Sequence, residues 1–353
     1  MIRLNSLFLF VSLYIFSSCT QATPNIAVIC EENKVGNCVI KWETSPVIQG
    51  TVKIYASPIP EINTQSRAIA AATIEDQKAT IITTNPTQRL YYTLVFNEKY
   101  KKLVGSRNVN IPSVQNIRDL GGYVSPSQQK SVRWGKVFRS AEIGSLPACS
   151  MKELNNLGIR TVIDLRSFKE ARLNPTSDKY FKVVHAPLLN RNLDSILHKV
   201  KIGEIRSDTI DRIIANCYRK LVLRNQAEIK KVFDVLLDEE NYPIMIECIS
   251  GKEQTGILSA LLLSALEVSP LTILQDYTQG DYFYSISKAS NYAYSQPVSV
   301  QEAITVMYSA KQEYIEAAES AIEKEYGSVM NYLTDGLGLT KTDIKTLRSI
   351  LLE

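Results

Sequence analysis

Histidine is nearly absent from this chain, whose 353 residues include two, His185 and His198. A histidine-based metal centre or a serine–histidine–aspartate triad needs histidine placed with other ligands or beside a nucleophile. Two isolated histidines do not suffice for either kind of site. We therefore expect no metal site and no cofactor, unless carboxylates alone hold an ion.

Strong charge of one sign is also lacking. The chain has 40 lysine and arginine residues against 36 aspartate and glutamate residues, a net charge of +4. No basic stripe with interleaved aromatic residues occurs, so nucleic acid is not an expected partner. The apolar fraction of 45% with 22% charged residues is typical of a globular protein. The length suits two domains, and there is no internal repeat.

The N-terminus carries a pattern typical of a targeting signal. One arginine precedes the apolar stretch from Leu7 to Phe16, which is far shorter than the ~20 residues of a membrane-spanning helix. The following Ser17-Ser18-Cys19 resembles the lipobox of bacterial lipoproteins, which implies lipidation of Cys19, although Phe16 departs from the usual aliphatic residue. The alternative is a signal peptide cleaved near Ala22. Both predict export, with residues 1–21 as the signal. The lipobox adds a lipid anchor in the bacterial cell envelope, facing the periplasm or the surface.

Export would place the other cysteines in an oxidising compartment. Cys30 and Cys38 flank a charged turn between two apolar stretches, which suits a hairpin disulfide. Free thiols in the core are the alternative. Cys149 and Cys217 have no evident partner and are predicted to be small buried side chains. Cys248 differs in its neighbours.

Residues 22–112 are predicted to form a small all-β sandwich of the fibronectin or immunoglobulin type. Runs of β-branched and aromatic residues recur between turn residues, without a helical stretch. In one of them, Leu90 to Phe96, apolar positions alternate with the period of two expected of a half-buried strand. No ligand site is evident there. The expected role of the sandwich is to hold the second domain away from a membrane anchor.

Residues 113–353 change to alternating strands and helices, which predicts an α/β domain with a central, mostly parallel sheet flanked by helices. Ser150 with Glu153 three residues later predicts a capping box at the start of a helix. The apolar run from Ile159 to Ser167 predicts a buried parallel strand. Pro243 to Glu247 predicts another, followed by a loop and an apolar helix.

That loop reads Ile-Glu-Cys-Ile-Ser-Gly-Lys-Glu-Gln-Thr-Gly, from Ile246 to Gly256. The strand delivers Cys248 to the start of a helix, where unpaired amide groups favour an anion and lower a thiol pKa. Ser250 and Gly251 allow the backbone amides to turn inward as a nest, and the Thr255 hydroxyl is placed to contact the sulfur. The pattern indicates phosphoryl transfer through a cysteinyl phosphate.

At this loop the chain resembles the bacterial tyrosine phosphatase-like proteins, whose loop reads HCxxGKDRTG. Four further blocks follow in the family's order, so that the resemblance spans the whole second domain: NIRDLGGY, RWGKVFRSAE, LGIRTVIDLRSFKE and YGSVMNYLTDGLGL. With the β-domain and lipobox, the chain is similar to exported members from Bacteroides-type bacteria. The resemblance implies a protein-tyrosine-phosphatase fold, Cys248 as the nucleophile, and a phosphorylated protein or small phosphomonoester as the ligand. It implies phosphate binding by Ile249, Ser250, Gly251, Lys252, Thr255 and Gly256.

The departures from the family lie on its chemical positions. Glu253 stands at the loop aspartate and is the candidate general acid, whereas Gln254 stands at the phosphate-binding arginine and Glu247 at the histidine before the cysteine. Glutamine offers one uncharged arm where arginine clamps phosphate with two charged ones. Losing such an arginine costs roughly 10³–10⁵ in rate. Glu247 is expected to raise the pKa of Cys248.

Three further residues are candidates for the pocket. Asp164 and Arg166 either line it or form a buried ion pair; Arg139 either supplies positive charge or has a structural role. The sequence thus favours a tyrosine or dual-specificity phosphatase with weak or lost phosphomonoesterase activity. Two alternatives stay open: a pseudophosphatase that binds a phosphorylated ligand without turnover, and a cell-envelope interaction protein acting through its β-domain.

Overall fold

The computed structural model of this protein describes residues 23–32, 36–82, 88–188, 193–206, 209–285 and 295–353. The predicted signal at 1–21, with Cys19, lies outside these residues. Among the helices within them, none combines the length and apolar character needed to cross a bilayer.

The N-terminal part is a sandwich of two antiparallel sheets, ordered β1-β2-β5 and β4-β3-β6-β7. One apolar core draws on both sheets, with Ile40, Val52 and Leu94 at 0% exposure. The predicted β-sandwich is therefore confirmed, while its limits at 22 and 112 stay a prediction. The strands are β1 (Asn25–Glu32), β2 (Cys38–Ser45), β3 (Thr51–Ser57), β4 (Ala70–Thr73), β5 (Lys78–Ile81), β6 (Tyr91–Phe96) and β7 (Tyr100–Gly105).

Strand β6 differs from its prediction because all six of its residues are buried, not every second one. One face points into the sandwich core. The other face is covered too, since the Asn63 amide donates to the Thr93 hydroxyl and the Trp134 ring packs edge-on against Tyr91. Alternation with a period of two shows that one face of a strand is buried, but it does not show whether a neighbouring segment covers the other face.

The second part is built on a five-stranded sheet of order β13-β12-β14-β11-β8. Every neighbouring pair is parallel except β11 and β8. Apolar cores cover both faces, because Val162 points into one and Ile163 into the other. The predicted mostly parallel sheet is confirmed. Its strands and a small hairpin are β8 (Arg118–Asp119), β9 (Val124–Ser125), β10 (Lys130–Ser131), β11 (Val137–Ser140), β12 (Thr161–Asp164), β13 (Lys182–His185) and β14 (Ile244–Glu247).

Helices pack on both faces of this sheet. They are α1 (Ala148–Asn156), α2 (Phe168–Leu173), α3 (Leu193–Lys201), α4 (Ile210–Arg224), α5 (Gln226–Leu236), α6 (Glu253–Ala265), α7 (Pro270–Thr278), α8 (Gly280–Phe283), α9 (Val298–Met307), α10 (Gln312–Tyr326), α11 (Val329–Asn331) and α12 (Lys341–Leu351). The predicted cap at Ser150 is wrong: Pro147 is the N-cap of α1, and Ser150 is buried inside the helix. A capping box does form at Ser167 and Glu170, where α2 begins.

The two parts pack directly on each other. Trp134, which follows the hairpin of the second part, is 6% exposed and belongs to the sandwich core. Arg89 of the sandwich donates to the fully buried Asp119 of β8 at 2.8 Å. The sandwich therefore contacts β8, the edge strand that pairs with β11.

Candidate active site

Cys248 lies between the end of β14 and the start of α6, and 1% of its surface is exposed. Gly251 sits in the turn above it with a φ of +65°. A Cβ atom there would lie 2.4 Å from the backbone carbonyl carbon and oxygen of Ser140, so the turn requires glycine. The loop thus presses against the end of β11.

The carbonyl oxygens of the loop are held from outside. Asn116 Nδ2 donates to the carbonyls of Ser250 and Gly251 at 2.9 and 3.0 Å, and Arg139 Nη2 donates to Gly251 at 2.7 Å. The amides of Gly251 and Thr255 instead act on the Cys248 sulfur. This is the arrangement of a loop that presents N–H groups to an anion.

The surroundings of the Cys248 thiol nevertheless disfavour its thiolate form. Burial raises the pKa of Cys248, and the Glu253 carboxylate raises it further. The hydroxyl and amide of Thr255 and the amide of Gly251 oppose that shift without cancelling it. The expected contact between Thr255 and the sulfur is present, whereas the lowered thiol pKa expected at the start of a helix is not.

Gln254 is turned away from a role as a phosphate clamp. Its Nε2 donates to the carbonyl oxygen of Leu188 at 2.9 Å and lies 3.4 Å from that of Leu165. The amide therefore joins the segment after β12 to the segment after β13. Glu253, the candidate acid, begins α6 and is 8% exposed.

Lys252 matches the family but is already paired. Its Nζ lies 2.7 Å from Asp281 Oδ1, and its side chain is 5% exposed. Burial lowers its pKa, and Asp281 opposes that shift. Asp281 also accepts from the amide of Ala310, which fixes the carboxylate.

Asp164 and Arg166 form a buried ion pair, so the second of their two predicted roles is the one that the geometry supports. Asp164 accepts from Arg166 Nε at 2.9 Å and from Nη2 at 2.8 Å, and both side chains are 0% exposed. Arg166 also donates to Glu142 at 3.0 Å and lies 3.6 Å from Glu247. Its charge is committed to three carboxylates.

The prediction that Glu247 raises the pKa of Cys248 is wrong, because the Glu247 carboxylate is held by other groups. Successive strand residues point to opposite faces, and the Glu247 carboxylate accepts from the Ile143 amide at 2.7 Å and from the Thr176 hydroxyl at 2.5 Å. Burial raises the pKa of Glu247 to about 7, while Arg166 lowers it. The carboxylate that acts on the sulfur is Glu253.

Arg139 has the structural role, because it is fully buried and bound to Asp276 Oδ2 at 2.5 Å. Asp276 also accepts from Arg118 at 2.9 Å and from the Tyr123 hydroxyl at 2.9 Å. The two arginines hold the pKa of Asp276 at about 2, against the effect of burial. The sequence did not predict that Asn116 and Asp276 support the loop, although Asn116 is the first residue of the block NIRDLGGY that carries the resemblance.

The remaining cysteines have mixed outcomes. Cys30 and Cys38 are thiols joined by a side-chain hydrogen bond rather than by a disulfide, so the cross-link between these neighbours stays a prediction. Cys217 is buried as expected, but Cys149 is exposed, which corrects the prediction for that residue. Among the described residues, no three histidine, cysteine or acidic side chains are grouped to hold a metal ion.

Comparison with known proteins extends the likeness beyond the loop. The profile of the tyrosine phosphatase family matches residues 109–353. A protein of Cupriavidus necator whose name places it among the tyrosine-protein phosphatases is 26% identical over 249 residues, covering 69% of this chain and 88% of the relative. The triple specificity protein phosphatase PtpB of Mycobacterium tuberculosis is 26% identical over 276 residues, covering 69% and 98%.

A solved structure gives a weaker likeness. The core catalytic domain of the PP-IP phosphatase SIW14 of S. cerevisiae is 15% identical, with a TM-score of 0.28, over 60% of this chain and 96% of that domain. A score of this size supports no argument about the site.

Proposed function

Since this chain belongs to the tyrosine phosphatase family, we propose that it is a degenerate cysteine phosphatase, whose loop binds a phosphomonoester but hydrolyses it slowly or not at all. Cys248 would be the nucleophile, Glu253 the acid, and the amides from Ile249 to Gly256 the phosphate cradle. The proposal includes turnover as a residual activity; its support is that the amides of Gly251 and Thr255 and the Glu253 carboxylate all act on the Cys248 sulfur.

One observation carries the proposal: the side-chain amide of Gln254 is committed to backbone carbonyls instead of facing the cradle. The basic side chains that could replace an arginine are committed as well. Lys252 is paired with Asp281, Arg139 with Asp276 and Arg166 with Asp164. A dianionic phosphate would meet amide dipoles and the Glu253 carboxylate without the guanidinium that spreads transition-state charge.

The test is hydrolysis of p-nitrophenyl phosphate by the natural chain and by Gln254→Arg. The natural chain should be slow, and Gln254→Arg should raise kcat/KM by roughly 10²-fold or more, since the missing group is worth roughly 10³–10⁵ and Glu253 still disfavours the thiolate. Adding Cys248→Ser should abolish the gain. Turnover of about 10 s⁻¹ by the natural chain would show that its loop is not degenerate.

A pseudophosphatase is the second candidate, supported by the raised pKa of Cys248 beside the amides of Gly251 and Thr255. It predicts that tungstate, a phosphate analogue, binds the natural chain in calorimetry while neither the natural chain nor Gln254→Arg turns over substrate. Absence of tungstate binding in a folded chain would contradict both candidates.

We further propose that the chain is an exported bacterial lipoprotein of the Bacteroides type, anchored in the cell envelope through Cys19 and acting on a phosphorylated protein or a small phosphomonoester. The support is the targeting pattern and the lipobox-like Ser17-Ser18-Cys19, together with relatives named for phosphoprotein hydrolysis. Metabolic labelling with a radioactive fatty acid should label the natural chain and not Cys19→Ala. Equal labelling of both would rule out this anchor.

A further inference from the structure

An apolar groove runs between α7 and α10, over α6. Its volume is about 410 Å³. Ile257 and Leu261 of α6 form part of its floor, and Leu271, Leu274, Ile315 and Ile322 stand among its walls. Leu271 is 65% exposed, an apolar side chain left in water at the groove's edge. None of the loop residues 248–256 lines this groove, which is therefore separate from the cysteine site.

A row of carboxylates borders the groove on α10. Glu316 and Glu319 line it, and Glu323 continues the row one turn further. All three are exposed. Burial, Glu323 and Glu316 each raise the pKa of Glu319, so the row repels itself. Within the part of the chain that the structure describes, none of the three forms a salt bridge.

We propose that the α7–α10 groove binds an amphipathic helix with basic side chains, whose apolar residues enter the groove while its lysines or arginines pair with Glu316, Glu319 and Glu323. An apolar cleft between two helices is the shape that takes the apolar face of a third helix. Glu316 accepts a hydrogen bond from Gln312 Nε2 at 2.6 Å, but the acidic row has no salt bridge among the described residues and selects the charge of the partner. The same row disfavours an anionic membrane surface as the occupant. This inference does not depend on phosphate binding by the loop.

The probe is a labelled 15-residue synthetic helix with leucine on one face and lysine on the flanks, titrated by fluorescence anisotropy. Two matched peptides separate the contributions: one keeps the leucines but carries glutamate for lysine, and one keeps the lysines but carries serine for leucine. The leucine–lysine peptide should bind, and both others should bind at least roughly tenfold more weakly. Equal binding of the serine peptide would overturn the proposal, because charge alone would explain it.

Variants of the protein locate the site. Glu316→Lys with Glu319→Lys should weaken binding at least roughly tenfold, and Leu271→Ser roughly threefold to tenfold. The matched control is Glu313→Lys with Glu325→Lys, which makes the same charge change at exposed positions of α10 that do not line the groove. It should change affinity less than about twofold. An equal loss in the control pair would overturn the proposal.

Two further results would contradict it. A dimer in sedimentation that Leu271→Ser dissociates would make a second copy of the chain the occupant. Sedimentation of the protein with phosphatidylserine vesicles, lost in Leu271→Ser, would make it a lipid surface.

Discussion

Cys248 combines two opposed influences within one residue. The amides of Gly251 and Thr255 favour the thiolate, whereas burial and Glu253 favour the thiol. Burial is the largest of these, so the pKa is raised. The sulfur is placed as a nucleophile, but its surroundings favour the thiol over the thiolate.

The reactivity of Cys248 tests this balance. Its alkylation by iodoacetamide should be slow at pH 7 and still rise steeply with pH above 9, because the reagent attacks the thiolate. Peptide mass spectrometry can follow each cysteine in one sample, with the exposed Cys149 as the internal reference. A Cys248 rate that is already constant from pH 6 to pH 8 would show a thiolate and refute the assignment.

Glu247 makes stability depend on pH. Its pKa is raised from 4.5 to about 7 in the folded chain, chiefly by burial and also by Asp164, while Arg166 lowers it. The folded state therefore holds a proton that the unfolded state releases. This contribution is fully present below about pH 4.5 and is lost as the pH rises to about 7, by on the order of 3 kcal/mol.

The corresponding variant is Glu247→Gln, which keeps an acceptor for the Ile143 amide and cannot ionise. Between pH 5 and pH 8 the free energy of unfolding, from urea titrations, should fall more for the natural chain than for Glu247→Gln. The exposed Glu325→Gln should behave like the natural chain. An identical pH dependence in Glu247→Gln and the natural chain would show that Glu247 is not the titrating group.

For single residues, the sequence predicts which residue types form the loop better than it predicts where their side chains point. The loop motif predicted the positions of Cys248, Gly251 and Thr255, because a cradle needs those residue types in that order. It could not show that Glu247 points away from the sulfur, or that the ion pair of Arg166 and Asp164 also includes Glu142. Those facts depend on Ile143, Thr176 and Glu142, which lie far away in the chain.

The loop between β14 and α6 is stabilised as one element by groups outside it. Asn116 and Arg139 hold its carbonyls, and Asp276 holds Arg139. Gly251 makes the close approach to Ser140 possible. The shape of the cradle is thus set by the end of β11 and by α7 as much as by its own residues.

Gly251→Ala should destabilise the chain by about 2–4 kcal/mol, because it adds a backbone clash to the strain of a positive φ. The matched control is Gly338→Ala, at a φ of +74° with nothing within 4 Å of the added Cβ. That change carries the strain alone and should cost about 1 kcal/mol. Urea unfolding measures both, and equal losses would mean that the contact with Ser140 is not limiting.

Helix ends show what local sequence can and cannot predict. Ser150 and Ser167 are each followed three residues later by glutamate, yet only Ser167 caps a helix. At α1 the chain already turns into the helix after Pro147, which leaves Ser150 inside. Local patterns therefore predicted that α1 exists, whereas the position of its first turn depended on the preceding residues.

On the scale of the whole molecule, Trp134 of the phosphatase-like part is shared with the core of the sandwich. The Trp134 ring lies against the backbones of Gly121 and Gly122, where an added Cβ would lie 2.9 and 2.2 Å from the nearest ring atom. Arg107 stacks on Trp134 at 5.3 Å. The sequence predicted two domains from its change of texture, but nothing in the texture predicted that a tryptophan of the second would complete the core of the first.

This shared core predicts that the two parts unfold together. The chain contains two tryptophans, Trp42 inside the sandwich and Trp134 at the junction. In Trp134→Phe, which keeps an aromatic ring at the junction, the fluorescence of Trp42 should report the sandwich alone. Its urea transition should coincide with loss of helical circular dichroism, which reports the phosphatase-like part.

Trp134→Ala removes most of that contact, at a cost of about 3–5 kcal/mol. The Trp42 transition should then shift to lower urea than the helical transition, because the sandwich loses part of its core while the central sheet keeps its own. Separate transitions already in Trp134→Phe, or coincident ones in Trp134→Ala, would mean that the junction does not couple the parts.

Unfolding of the sandwich should also affect the cysteine loop. Arg89 of the sandwich binds Asp119, and the neighbouring Arg118 pairs with Asp276 behind the cradle. In Trp134→Ala, tungstate binding should therefore be lost at the urea concentration that unfolds the sandwich, not at the higher concentration that unfolds the helices.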